Sequence, residues 1–271
     1  MTVRLSLMCL VFGAATVSCS DDDKLAPGTI QVTVYGEDEI EDELSSNDVA
    51  DGWTIDFSRF LVVLSDVSVG NDDDEGVFSA PAETVFDLTK PSNGMGHVLG
   101  SGAAPGGTYD LAAYTIGPAT AAATAGNVTA DDVALMSTGG YSVYLQGTAT
   151  KGGASIDFAW GFTSNTHYGD CETNAKVDGN TATTQITIHA EHIFFDSRSE
   201  DAADIRFQAI ADADADHSGD VTLAELAAVD LSTLSYDAAG DTNLTTLAAF
   251  IAAQVTTIGH VDGEGECEAT H

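Results

Sequence analysis

Between residues 28 and 196 apolar side chains recur at every second position, in short runs broken by Gly, Asp, Asn and Pro. Ile30, Val32 and Val34 alternate, as do Trp53, Ile55 and Phe57. Residues 60–64 are apolar throughout, and 67–69 and 85–88 add further strand signal. Tyr109, Leu111, Ala113 and Thr115 fall on one predicted face after the turn at Pro105, Gly106 and Gly107. Tyr141, Val143 and Leu145 alternate, Lys151, Gly152 and Gly153 turn the chain, and Ile156, Phe158, Trp160 and Phe162 alternate again, which reads as a hairpin. Ile186, Ile188, Ala190, His192 and Phe194 share a face of the last predicted strand. Period-2 patterning repeated in this way predicts a β-sandwich of the immunoglobulin or transthyretin kind over 28–196. Trp53 and Trp160 read as packing residues within it.

From Ser199 the period lengthens. Ala202, Ile205, Phe207 and Ile210 fit one helix, and Leu223, Leu226 and Val229 another. Leu244, Leu247, Ala248, Ile251, Val255 and Ile258 form a stripe for a longer helix, with Asp241, Thr242 and Asn243 as N-cap candidates and Gly259 as its stop. Residues 130–136 suggest a short connecting helix. The chain thus divides into a β body at 28–196 and a helical segment with an acidic tail at 197–271.

Charge narrows the partners. With 43 Asp+Glu against 8 Lys+Arg among 271 residues, the formal net charge is −35. A nucleic-acid or anionic-membrane surface requires a basic face, so neither is expected to bind the body. Cations, and divalent metals foremost, are the partners such a chain favours; a protein or glycan partner is not readable. Residues 37–43 and 72–75 read as acidic surface turns.

The N-terminus adds an address. Residues 5–12 are apolar apart from Ser6, and small residues follow, the layout of a signal peptide over 1–18. Thr16, Val17, Ser18 and Cys19 resemble the lipobox of bacterial lipoproteins, with Thr16 where Leu is usual. The resemblance implies cleavage before Cys19, lipidation of Cys19, and attachment through lipid alone, on the periplasmic or the cell-surface side. Residues 19–27, with Asp21, Asp22 and Asp23, then form a solvated tether. The segment GTIQVTVY, the strand at 55–69, Asp87–Leu88–Thr89 and the turn PGGTYD at 105–110 also resemble a family of bacterial lipoproteins with a domain of unknown function, which implies a β-sandwich and no activity.

With Cys9 in the signal and Cys19 acylated, Cys171 and Cys267 remain. An oxidising compartment favours a disulfide between them; thiolate metal ligation beside His167, His260 and His271 is the rival.

The most specific signal lies at 214–225. Asp214, Asp216, Ser218, Gly219, Asp220, Val221, Thr222 and Glu225 resemble an EF-hand calcium loop at all its diagnostic offsets. Calcium takes six to eight hard oxygens at about 2.3–2.6 Å, and this spacing supplies them from one short segment. The resemblance assigns side-chain oxygens to Asp214, Asp216 and Ser218, a backbone carbonyl to Asp220, a direct or water-mediated contact to Thr222, and both carboxylate oxygens to Glu225. Gly219 permits the sharp turn, and Val221 is the position that pairs with a second loop. A single hand argues against a sensor switch and for a structural ion.

His189 and His192 lie three apart in a predicted strand, hence on opposite faces. His192 with His167 and His260, joined by Cys171 or Asp196, is a candidate copper or zinc set, the basis of an alternative reading as a metal carrier. No nucleophile elbow, zinc-protease, phosphate-loop or dinucleotide motif occurs, so no enzymatic activity is expected.

Overall fold

The computed structural model describes residues 24–71, 74–199, 203–263 and 265–271. The expected signal peptide and Cys19 lie outside the described residues. The chain is mainly β with short helices, as the alternation predicts. In order come β1 (Gly28–Tyr35), α1 (Glu37–Glu41), β2 (Thr54–Asn71), β3 (Asp74–Ala80), β4 (Thr84–Asp87), β5 (His97–Ala104) and β6 (Gly107–Ile116). Then follow β7 (Thr124–Ala125), α2 (Ala130–Gly139), β8 (Val143–Lys151), β9 (Ala154–Phe162), β10 (Thr166–Val177) and β11 (Thr181–Ile188). The last quarter holds α3 (Gln208–Ala211), β12 (Asp220–Val221), α4 (Leu223–Ala228), α5 (Leu247–Gln254), β13 (Gly259–Val261) and β14 (Glu268–Thr270).

The strands form two sheets. The smaller runs β13-β11-β1-β5; the larger runs β12-β9-β8-β2-β6-β10-β14, with β3 and β4 also on β2 and β7 on β4. Both contribute to one core, which joins Ile30 and Val32 to Phe158, Trp160 and Tyr168. Phe207, Leu247 and Ile251 belong to the same core, so no packing boundary falls at residue 196. All three short strands after residue 203 sit at sheet ends: β12 against β9, β14 against β10, β13 against β11.

The apolar run at 60–64 is buried on both faces. Phe60, Val62 and Leu64 enter the main core, while Leu61 and Val63 pack with Val85, Ala119 and Met136 of α2 in a second cluster. A strand covered on both sides has no reason to alternate. Elsewhere alternation holds until a bulge resets it. The ladder slips between Phe57 and Arg59, between Ser65 and Ser68, and between Tyr168 and Cys171. Each extra residue brings side chains three apart, Phe57 and Phe60, Leu64 and Val67, Tyr168 and Cys171, to the same buried face. On β6 the buried residues are Tyr109, Ala112, Tyr114, Thr115 and Ile116, while Leu111 and Ala113 of the expected face are only partly buried.

Helices are shorter than the periodicity predicts. Ala202 lies outside the described residues; Ile205 bridges to Val49 and Phe195, and among the described residues of this stretch the helix is Gln208–Ala211. The stripe at 244–258 becomes α5 and a 3-10 turn at Val255–Thr257, capped by Thr246 Oγ, which accepts from Ala249 N at 3.2 Å, and not by residues 241–243. Residues 37–41 are helical, with Ile40 buried, where an acidic turn is expected.

Candidate functional site

The loop at 214–225 is anchored to the β body at both ends. Upstream, Asp51 caps α3 from a distance: its Oδ2 accepts from Phe207 N and Gln208 N at 2.9 and 2.8 Å. The Gln208 side-chain carbonyl accepts from Trp53 Nε1 and Lys151 Nζ at 3.1 and 2.9 Å. Downstream, β12 lies parallel to β9, with Asp220 against Asp157 and Val221 against Phe158. Asp157 N donates to the Gly219 carbonyl at 2.8 Å, and Trp160 Nε1 to the Val221 carbonyl at 2.8 Å. The strand partner expected from a second loop is therefore the sheet itself.

Inside the loop the backbone gathers the acids. Ser218 N donates to Asp214 Oδ1 and Asp216 Oδ1, both at 3.0 Å, and Gly219 N to Asp214 Oδ2 at 3.0 Å. The Asp216 carboxyl is held below its ordinary range, first by hydrogen bonding with the Ser218 side chain and then by the Ser218 backbone N–H. Gly219 takes φ +84°, which its missing Cβ makes inexpensive. One carboxylate oxygen from each of Asp214, Asp216 and Glu225 lies within 4.8 Å of the others. Ser218 Oγ donates to the Asp220 carbonyl at 3.2 Å, so those two oxygens are adjacent as well. Thr222 is engaged otherwise: its hydroxyl donates to Glu225 Oε2 at 2.8 Å and accepts from Glu225 N at 3.2 Å, a capping box that starts α4. The flanking helices are short, α3 having four residues and α4 six.

Cys171 and Cys267 form a disulfide across 96 residues, which excludes Cys171 as a metal ligand. It pins the chain end to β10, where β14 pairs His167 with Thr270.

The histidine set departs from expectation. His167 is exposed on β10, its Nδ1 3.1 Å from Thr115 Oγ. Asp196 accepts from Arg206 Nε instead of facing His192. His189 takes the place expected of His167. Strand β11 ends at Ile188 and the chain turns through Ala190 into a 3-10 turn at Glu191–Phe194, so strand alternation stops before His189. His189 and His192, expected on opposite faces, are thereby brought to one side with ring centroids 5.3 Å apart. His260 on β13 completes the group, at 4.5 Å from His189 and 5.3 Å from His192. Donor atoms of His189, Glu191 and His192 lie within 4.8 Å of one another. The signal that could have found His189 is the HxxH spacing itself, once the strand is allowed to end before it.

Burial and the nearby His189 and His192 push His260 down to about 4, so its ring is neutral at pH 7. Burial alone would raise Glu191, yet the His189 hydrogen bond and the two histidine charges hold it below the ordinary carboxylate range.

Compared with protein-family models, curated proteins and solved structures, the chain matches none.

Proposed function

We propose that this is an exported, lipid-anchored, non-enzymatic binding or structural protein that takes a calcium ion at residues 214–225. The observation that carries the reading is the convergence of Asp214, Asp216 and Glu225 to within 4.8 Å in a loop whose spacing resembles an EF-hand. Oxygen donors in this number suit a hard cation. The ion would be held by Asp214, Asp216, Ser218, the Asp220 carbonyl, Thr222 directly or through water, and Glu225. Glu225 would give up its hydrogen bonds to Thr222 to grip the ion with both oxygens. Because β12 pairs with β9, the ion clips the helical segment to the sheet and has no second hand to signal to. A structural ion of this kind functions with affinity on the order of 10⁻⁴–10⁻³ M where external calcium is plentiful. The anchor and the location outside the cytoplasm rest on the lipobox resemblance at residues 16–19.

Calorimetric titration of the chain with calcium tests the site. Saturable binding that Glu225→Gln abolishes is expected; binding that survives Glu225→Gln at equal affinity overturns it. For the anchor, Cys19→Ser should move the protein from the membrane to the soluble fraction, and an unchanged membrane fraction removes that part of the reading.

A further inference from the structure

The junction of β11 and β13 gathers chemistry that calcium cannot use. Imidazole nitrogen is a poor donor to a hard cation and a good one to zinc, copper, nickel or iron. Three rings meet there, with a carboxylate among them. We propose that His189, His192 and His260, together with Glu191, form a binding site for a divalent transition-metal ion, zinc being the ion whose needs these donors meet.

The spacing supports this first. Nitrogens at about 2.0–2.1 Å from a tetrahedral ion put the centroids of three ligating rings about 5 Å apart. The observed ring centroids are 4.5, 5.3 and 5.3 Å apart; donor atoms of His189, Glu191 and His192 already meet within 4.8 Å, and the His260 ring would turn in to join them. Histidines packed only as core would be under no such constraint.

The orienting shell is present as well. His192 Nδ1 lies 2.9 Å from the Thr257 carbonyl, which sets the tautomer that leaves Nε2 as the donor to an ion. His189 Nδ1 lies 2.9 Å from Glu191 Oε1 and 3.7 Å from Glu37 Oε2, and its Nε2 is 3.4 Å from the Gly263 carbonyl, the longer contact that an ion at Nε2 would replace. Metal-bound histidines are oriented by carbonyls and carboxylates in this way.

Two buried atoms in the same group, His260 Nδ1 and Glu191 Oε2, have no hydrogen-bond partner among the described residues. Buried polar atoms are rarely left so, and a shared ion accounts for both. The surrounding charge fits a cation. Glu37 of α1 faces the cluster, its Oε2 3.7 Å from His189 Nδ1. Glu37 itself is held at φ +56°, a strained conformation for a residue with a Cβ.

The scaffold is rigid. Tyr114 and Tyr168 stack at 4.9 Å beneath β13, and Tyr114 Oη donates to the His260 carbonyl at 3.1 Å. Gly259 permits that approach, since a Cβ there would lie 2.5 Å from Tyr114 Oη.

The test uses the full chain, stripped of transition metals and saturated with calcium, titrated with Zn²⁺ by calorimetry and with Co²⁺ by visible spectroscopy. One tight zinc ion is expected, with a tetrahedral cobalt spectrum. His192→Ala and His260→Ala should each weaken zinc roughly tenfold or more. His167→Ala and Glu225→Gln should leave it unchanged, which separates this site from the calcium loop. Zinc binding equally tight in a folded His260→Ala variant overturns the proposal. Should the variants fail to fold, zinc K-edge absorption on the unaltered chain decides: three imidazole scatterers support the site, and one or none overturns it. Absence of stoichiometric zinc in the folded protein also overturns it.

Discussion

The acidic loop and the histidine cluster gather their candidate donor atoms in opposite ways. The loop draws all its donors from twelve consecutive residues and lies at the surface, with Asp216 exposed. The cluster draws on α1, the turn after β11, and β13, and its His189 and His192 are buried at 2% and 3% exposure. A local site is set by its own backbone, through Ser218 N and Gly219 N. A site assembled from distant segments exists only as well as the fold that brings them together. The first should therefore tolerate strain in the body, and the second should register it.

Removing the disulfide is the largest perturbation and tests that contrast most directly. Replacing Cys171 and Cys267 by Ala should cost about 2–4 kcal/mol, read as a fall in the urea midpoint. Zinc affinity should fall with it, because the bridge secures the segment just after His260, whereas calcium affinity should hold. An equal loss at both sites would erase the distinction.

A smaller effect is expected where the loop does touch the body. Trp160→Phe removes the hydrogen bond to the Val221 carbonyl, worth about 0.5–1.5 kcal/mol. It should weaken calcium and spare zinc, the reverse of the disulfide variant, as paired titrations would show.

The smallest sharpens the role of carboxylates. Asp132 caps α2 in a box with Thr129, as Glu225 caps α4 with Thr222. Burial would raise the Asp132 carboxyl, but the Thr129 hydrogen bonds and the charges of Arg59 and Lys90 hold it below its ordinary range. A depressed carboxylate stabilises above its unfolded pKa, about 3.9, and that contribution is lost as pH falls through the lower folded value. Asp132→Asn should cost about 0.5–1 kcal/mol at neutral pH, flatten the acid limb of melting temperature against pH, and leave calcium binding unchanged. If calcium binding moved, the two boxes would not be the independent devices their geometry implies.

What could be read beforehand follows the same division. The loop was legible because its donors, its Gly219 turn and its Val221 strand position are neighbours in sequence. The disulfide was legible because, once Cys9 and Cys19 are assigned to the leader and anchor, Cys171 and Cys267 remain. The hairpin of β8 and β9 was legible because its alternation is unbroken through the Gly152 and Gly153 turn. The histidine cluster was not, because its geometry depends on where period two stops. Continuing the strand past Ile188 sends His189 to the wrong face, and the turn through Ala190 brings it back. The bulges at 57–59, 65–68 and 168–171 hid the β2 and β10 faces for the same reason. Alternation records parity, and a single inserted residue reverses it. The extent of the last helices was hidden by contact with the body, since Ile205 spends its backbone on a bridge.

The placement of β12, β13 and β14 at sheet ends bears on solubility. Strand β9 has nine residues, with Ile156, Phe158, Trp160 and Phe162 directed inward, and among the described residues β12 is the strand on its outer side within the larger sheet. Unpaired backbone along such a strand is a template for another chain. Strand β12 covers the Asp157 and Phe158 stretch of that edge, so an ion that steadied the 214–225 loop would also hold this short cover in place, and calcium depletion would then show as self-association before unfolding.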